Sequence, residues 1–199
     1  MIPNQESTPR LVLASTSRYR AALLARLGRH WELASPGVDE SHRAGEAPRD
    51  RALRLAIEKA RAVAAEAPAA WVLGGDQVCA CGARIFDKPG TLTNAHRQLR
   101  GLAGRRAEFH TAAALLRQRS GECYTAVDLT TVHFRPLTQA EIDTYLAAEP
   151  ALDCAGSFKC EGLGISLFRS IDTHDPTALV GLPLIAVCRL LAQAGIAIP

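Results

Sequence analysis

Short apolar runs alternate along this chain with longer segments of helical periodicity, and this alternation restricts the possible folds more than any other feature. Residues 11–14 and 71–74 form runs too short for a helix and typical of strands buried inside a sheet. Between them, residues 49–66 carry apolar side chains at helical spacing, with Pro48 before them and Pro68 after them. Alternating strands and helices are typical of an α/β protein, so the sequence predicts a mixed sheet flanked by helices.

The rest of the sequence fits the same pattern and shows no internal repeat, low-complexity tract or interdomain linker. A length of 199 residues therefore predicts a single domain over residues 1–199. Four further helices are predicted: one that begins after Ser17 and ends at Gly28, one capped by Thr93, one opened by a Thr138–Glu141 capping box, and a final one from about 182 that ends before Gly195. Further strands are predicted at 31–34, 109–116 and 126–134, and at 77–81 and 83–86 on either side of a tight turn at Gly82. Residues 149–181 are predicted to hold only short strands.

Composition excludes several classes of protein. Hydrophobic residues make up 48% of the chain and charged residues 22%, which argues against a disordered or collagen-like chain. A net charge of +3 and an aromatic content of 5% argue against a nucleic-acid partner. No apolar run approaches the roughly 18 residues of a membrane span, and residues 1–7 lack the pattern of a secretion signal. The six cysteines form no C-x-x-C pair, so we expect reduced thiols rather than a zinc site.

The segment at residues 15–20, with the sequence STSRYR, stands between a predicted strand and a predicted helix. The start of a helix presents free backbone N–H groups and the positive end of the helix dipole. Ser15 adds a hydroxyl group, and Arg18 and Arg20 add guanidinium groups suited to phosphate. The sequence therefore suggests a phosphate-binding turn, with an ordinary helix cap beside exposed arginines as the alternative.

Acidic and basic residues elsewhere could complete such a site. Asp76 follows a predicted buried strand and two glycines, a position that can direct a carboxylate into a cleft, although an Asp in a glycine-rich turn is also common. Glu40 supplies a carboxylate in a loop, and Mg²⁺ prefers one or two carboxylates together with substrate phosphates. Lys59 in the long helix and Lys88 after a strand could bind phosphate or be solvated surface lysines. This set is typical of metal-assisted phosphoryl or nucleotidyl chemistry and does not identify a reaction.

Taken together and in order, these short segments resemble the Maf family of nucleoside triphosphate pyrophosphatases, and the resemblance extends from about Leu11 to Gly195. Residues 76–79 and 158–162 are most similar to the subgroup that acts on 7-methyl-GTP, whereas the branch that acts on dTTP and UTP typically has Thr after the Asp and Gln before the corresponding Gly. The matching segments are LASTS at 13–17 with Arg20, VDE at 38–40, EKA at 58–60, GGDQV at 74–78, KP at 88–89, AGSFK at 155–159 and VGLP at 180–183.

The resemblance implies an elongated mixed α/β sheet with a central cleft, of the kind shared by Maf and ITPase-like proteins. It further implies hydrolysis of a nucleoside triphosphate, here 7-methyl-GTP, to the monophosphate and pyrophosphate, with a divalent cation (Mg²⁺, Mn²⁺ or Co²⁺), a cytoplasmic location and a homodimer. The implied site residues are Asp76 as the catalytic acid/base, Ser15, Arg20, Lys59 and Lys88 for the phosphates, Glu40 and Asp76 for the metal, and Tyr19, Gln77 and Glu161 for base specificity.

Two residues depart from the family pattern. The family usually has Pro where this chain has Arg18, and the 7-methyl-GTP subgroup has Trp where Tyr19 stands. Two alternative functions stay open beside hydrolysis of 7-methyl-GTP. One is hydrolysis of dTTP or UTP, and the other is a non-catalytic nucleotide-binding regulator of cell division.

Overall fold

A computed structural model describes residues 9–198, so the prediction for the N-terminal residues 1–7 lies outside the described residues. Seven strands form one mixed sheet, which confirms the predicted α/β class. The strand order is β2-β1-β3-β5-β6-β7, and the short strand β4 pairs with β3 outside this order. The strands are β1 (Leu11–Ala14), β2 (Glu32–Ala34), β3 (Trp71–Cys81), β4 (Arg84–Phe86), β5 (Arg106–Arg117), β6 (Glu122–Phe134) and β7 (Phe168–Asp172).

Helices cover both faces of this sheet. The helices are α1 (Arg18–Ala25), α2 (Pro48–Glu66), α3 (Leu92–Leu102), α4 (Gln139–Ala148) and α5 (Leu184–Gln193), with short 3₁₀ helices at Leu163–Leu167 and Ala178–Val180. Strand β1 runs parallel to β2 and β3 because α1 and α2 form the crossover connections, and every other strand pair is antiparallel. None of the helices within residues 9–198 is long and apolar enough to cross a membrane.

The alternation of side chains along the strands divides the core between the two faces of the sheet. Leu13, Leu73 and Leu115 pack with α1 and α5 on one face, whereas Val12 and Val72 pack with α2 on the other. A third cluster, rich in phenylalanine, joins the far ends of β3, β5 and β6 to α3 and α4. One sheet therefore supports these three packed clusters, two on opposite faces beside β1 and the phenylalanine-rich one at the far end.

The strand that carries Asp76 is longer than the sequence predicts. Strand β3 continues without a turn over eleven residues, and Asp76 pairs with Ala112 of β5 near its middle. The expectation that Asp76 lies where a strand ends in a glycine-rich turn is therefore wrong. The glycines serve close packing instead, because a Cβ atom on Gly74 would lie 2.1 Å from the carbonyl oxygen of Ala56 on α2.

Two further boundaries differ from the predictions, and one is confirmed. Helix α3 is capped by Thr91, whose Oγ1 accepts a hydrogen bond from the N–H of Asn94 at 3.2 Å, whereas Thr93 lies inside the helix. Strands β5 and β6 extend past the apolar stretches because their polar ends pair with each other, Arg106 with His133 at one end and Arg117 with Glu122 at the other. The capping box of α4 is present as predicted, with reciprocal hydrogen bonds between Thr138 and Glu141.

Candidate active site

A cleft of about 400 Å³ opens beside the turn that follows β1, and Phe109 and Phe158 of the phenylalanine-rich cluster line its other side. All but one of the site residues predicted from the sequence line it, and the exception is Asp76, which lies behind Lys59. We call one part the cationic end, defined by the lining residues Ser15, Arg20, Glu40, Lys59 and Lys88 together with Asp76 behind Lys59. We call the other part the aromatic end, defined by Arg18, Tyr19, Asp153, Lys159 and Glu161.

The turn at the cationic end holds Arg20 in a fixed position. Ser17 caps α1 and its N–H donates a hydrogen bond to Ser15 Oγ at 3.1 Å. The Arg20 guanidinium donates to Ser15 Oγ at 3.4 Å and, through Nε, to the carbonyl oxygen of Gly181 at 2.8 Å. Burial lowers the pKa of Arg20, and the nearby carboxylates oppose this effect. The segment is thus both a helix cap, as the alternative prediction had it, and a turn that presents a half-buried cation to the cleft.

Lys59 lies at the centre of the cationic end. Its ammonium nitrogen Nζ is 2.7 Å from Asp76 Oδ1 and 2.7 Å from Glu40 Oε1. The Lys59 side chain is 6% exposed and that of Asp76 9%, whereas that of Glu40 is 54% exposed. The interpretation of Lys59 as a solvated surface lysine is therefore wrong. Burial alone would raise the pKa of Glu40, but the hydrogen bond and charge of Lys59, with the charges of Lys88 and Arg20, hold it below its usual value.

The donor set of this end fits a hard divalent cation that completes its coordination from a bound ligand. Glu40 and Asp76 bring two carboxylates to the same ammonium group, and Mg²⁺ commonly takes one or two carboxylates plus substrate phosphates and water. Among residues 9–198, no group of three or more His, Cys, Asp or Glu side chains could hold an ion by itself. A metal at this position would therefore depend on oxygen atoms supplied by the substrate.

Tyr19 organises the aromatic end together with two residues to which the sequence analysis gave no role there. Its hydroxyl group donates to Asp153, with oxygen–oxygen distances of 3.1 and 3.2 Å, and accepts from Arg18 Nη2 at 2.9 Å. The Arg18 guanidinium lies 4.9 Å from the ring centroid and Lys159 Nζ lies 6.0 Å from it. Burial raises the pKa of Tyr19 to about 12, so the phenol stays neutral. Arg18, at the family's usual Pro position, thus contacts the aromatic end.

The other two predicted specificity residues, Gln77 and Glu161, also line the cleft, and they differ in how firmly the protein holds their side chains. The amide nitrogen of Gln77 donates to Thr111 Oγ1 at 3.0 Å and to the carbonyl oxygens of Ala178 at 2.9 Å and Leu179 at 3.2 Å. Gln77 is therefore held by the protein itself. Glu161 is exposed at the edge of the cleft, where its carboxylate can meet a ligand.

The cysteines are free thiols, as the sequence predicts. Cys154 and Cys160 line the cleft beside the aromatic end. Burial raises the pKa of Cys154 to about 11 and that of Cys160 to about 12. Both therefore remain protonated at neutral pH, which makes them poor nucleophiles and poor metal ligands.

The fold and the cleft define an α/β protein in which cations and carboxylates meet at one end of a cleft and an aromatic ring stands at the other. Such a set of groups is suited to a polyphosphate. The family described as Maf-like protein matches residues 10–194. This chain belongs to the Maf family.

Full-length relatives carry one shared name. The 7-methyl-GTP pyrophosphatase of Xanthomonas campestris pv. campestris (strain 8004) is 57% identical over 191 residues, which cover 96% of this chain and 99% of that protein. The 7-methyl-GTP pyrophosphatase of Pseudomonas syringae pv. tomato (strain ATCC BAA-871 / DC3000) is 49% identical over 96% of this chain and 100% of its own length. That of Albidiferax ferrireducens (strain ATCC BAA-621 / DSM 15236 / T118) is 50% identical over 94% of each chain.

Proposed function

We propose that this protein hydrolyses 7-methyl-GTP to 7-methyl-GMP and pyrophosphate. The observation that carries the proposal is the division of one cleft into a cationic end and an aromatic end. Membership of the Maf family and the names of relatives that match nearly the whole chain support the same activity. Each end is suited to one half of the nucleotide.

The cationic end is suited to the triphosphate. A nucleoside triphosphate carries about four negative charges, which must be neutralised before water can approach phosphorus. Arg20, Lys59 and Lys88 face that charge from three separate segments of the chain. The ammonium group of Lys59 is already paired with carboxylates, so the phosphates would compete with Glu40 and Asp76 for it.

Asp76 is the acid/base residue that we propose for the reaction. Its carboxylate would orient the attacking water and accept a proton from it as the bond between the α- and β-phosphates breaks and pyrophosphate leaves. Glu40 and Asp76 would hold a divalent cation (Mg²⁺, Mn²⁺ or Co²⁺) together with the phosphates. Such a cation, when bound, neutralises phosphate charge and stabilises the leaving pyrophosphate.

The aromatic end is suited to a methylated purine. Methylation at N7 gives the guanine ring a delocalised positive charge, which favours an aromatic face by about 0.5–2 kcal/mol. Tyr19 offers that face, although Arg18 and Lys159 already approach the ring, so the base would displace one of these cations. Glu161 could accept hydrogen bonds from the N–H groups of the base, each worth about 1.5–3 kcal/mol to a charged acceptor. Asp153 adds a second carboxylate beside the cationic ring.

Pyrophosphate release from 7-methyl-GTP, GTP, dTTP and UTP tests this function. We expect 7-methyl-GTP to give the highest kcat/KM, and Asp76→Asn to lower turnover by about 10² or more while the protein still melts as a folded domain. The highest kcat/KM on dTTP or UTP would favour the pyrimidine branch of the family. Tight nucleotide binding without any release of pyrophosphate would instead favour the regulator.

We also propose that the enzyme acts in the cytoplasm as a homodimer without a nucleic-acid partner. Six free thiols are typical of a reducing compartment, which supports the location. The dimer rests on the resemblance to the family alone. Light scattering after gel filtration measures it directly, and a mass near 21.3 kDa would refute it.

A further inference from the structure

Ser157 has a backbone conformation that only glycine adopts freely. Within residues 9–198 it is the single non-glycine residue with a positive φ, which is 65°. Its side chain is fully buried. Such strained positions persist only where the surroundings hold them, and they cluster at functional sites. Ser157 lies in residues 153–161, which we call the 153–161 loop and which brings Asp153, Lys159 and Glu161 to the aromatic end of the cleft.

A buried amide connects this loop to the cationic end. Ser157 Oγ donates a hydrogen bond to Gln98 Oε1 at 2.7 Å. Gln98 Nε2 in turn donates to the carbonyl oxygen of Asp87 at 2.8 Å. Asp87 directly precedes Lys88, so one glutamine side chain on α3 spans from the 153–161 loop to the segment that carries a cation of the cleft. Gln98 is itself buried.

The loop has little room to adjust around this connection. A Cβ atom on Gly156 would lie 3.1 Å from the ring of Phe158 and 3.4 Å from that of Phe109. The backbone N–H of Lys159 donates to the hydroxyl group of Tyr145 on α4 at 3.2 Å. These contacts leave the loop few alternative conformations. The bond between Ser157 and Gln98 therefore contributes to its position relative to α3, beside the backbone hydrogen bond from the N–H of Gly90 to the carbonyl oxygen of Leu152 at 3.1 Å.

We propose that Ser157 and Gln98 are positioning residues that fix the distance between the 153–161 loop and Lys88. Neither side chain lines the cleft, so both act through the residues that do. The inference rests on the proposed function, because it assumes that one nucleotide is held at both ends of the cleft. Fixing this distance would match the separation of the two ends of the cleft to the length of the nucleotide.

Two ligands that differ in the parts of the cleft they occupy test the proposal by calorimetry. Tripolyphosphate probes the cationic end, and 7-methyl-GMP requires the aromatic end as well. Ser157→Gly keeps the left-handed backbone and removes the hydroxyl group. We expect this variant to raise the dissociation constant of 7-methyl-GMP by about 3- to 10-fold, the effect of one hydrogen bond, and to leave the dissociation constant of tripolyphosphate unchanged. Gln98→Leu removes both hydrogen bonds of the Gln98 side chain and should weaken the binding of both ligands. Adding Ser157→Gly to Gln98→Leu should cause no further loss of affinity for 7-methyl-GMP.

Controls separate positioning from general destabilisation. Leu116→Val removes a buried methylene at the far end of β5 and should lower the melting temperature without changing either dissociation constant. Unchanged 7-methyl-GMP binding in Ser157→Gly, or equal loss of both ligands in that variant, would overturn the proposal. Failure of the proposed function would be seen separately, as the absence of pyrophosphate release from the wild-type enzyme.

Discussion

Lys59 is the residue whose removal has the most predictable energetic cost. Lys59→Met preserves the length and apolar packing of the side chain but leaves Asp76 buried without its ammonium partner. Removing one member of a buried ion pair costs about 3–5 kcal/mol. The contact with Glu40 adds little, because that carboxylate is 54% exposed and exposed pairs contribute about 0–1 kcal/mol.

The lower end of this range is the expected loss, since Arg20 remains close enough to Asp76 to compensate part of its charge. We therefore expect Lys59→Met to lower the free energy of unfolding by about 3 kcal/mol, equivalent to about 6–12 °C in melting temperature for a chain of this size. Urea denaturation and thermal melting at pH 7 measure both quantities.

A double-mutant cycle makes the cause testable. Lys59→Met combined with Asp76→Asn should recover most of the lost stability, because a neutral amide needs no counter-ion. Lys88→Met is the matched control, since Lys88 is an exposed lysine of the same cleft, and it should change stability by no more than about 0.5 kcal/mol. A Lys59→Met protein as stable as the wild type, or a double variant no more stable than Lys59→Met, would refute the reasoning.

Three further outcomes follow from the site and from one helix cap. Exhaustive EDTA treatment should abolish pyrophosphate release and Mg²⁺ or Mn²⁺ should restore it, so full activity after chelation would contradict the proposed metal. Tyr19→Ala and Glu161→Gln should each reduce the preference for 7-methyl-GTP over GTP, measured as a ratio of kcat/KM, and an unchanged ratio in both would remove their role in specificity. Hydrogen bonds from the backbone of Thr138 and from Arg135 lower the pKa of Glu141 from 4.5 to about 2. The folded-state pKa is therefore the lower one, so this stabilisation is present above about pH 4.5 and is lost as the pH falls toward 2. Glu141→Gln should melt below the wild type at pH 6 and show a smaller decrease across that window, and parallel pH profiles would contradict this assignment.

Local chemistry made much of the fold predictable from the sequence. The capping box at Thr138 and the long helix before Pro68 depend on neighbouring residues, so short-range signals were sufficient. The position of Asp76 was not predictable in this way, because glycines at 74 and 75 mark a turn and a close helix contact equally well. Only the packing of α2 against β3 distinguishes the two.

The candidate site shows the same limit. The order of its motifs identified the residues of the cationic end, and the structure brings them together. Asp153 and Gln98 gave no signal, and Ser157 appeared only as part of the matching segment at 155–159, since the importance of all three comes from contacts with residues far away in sequence. Ser157 and Gln98 are 59 positions apart. Burial of a polar group depends on such non-local contacts, which periodicity does not encode.

Gly74 does not line the cleft, yet it affects how the cleft tolerates change. An alanine at this position would place Cβ 2.1 Å from the carbonyl oxygen of Ala56 and 2.8 Å from the N–H nitrogen of Ala60, and these residues flank Lys59 on α2. The helix would have to move away from β3 and carry the Lys59 ammonium group away from Asp76. In a saturation-mutagenesis screen scored by turnover, position 74 would therefore have the profile of a catalytic position, although it contributes no side chain at all.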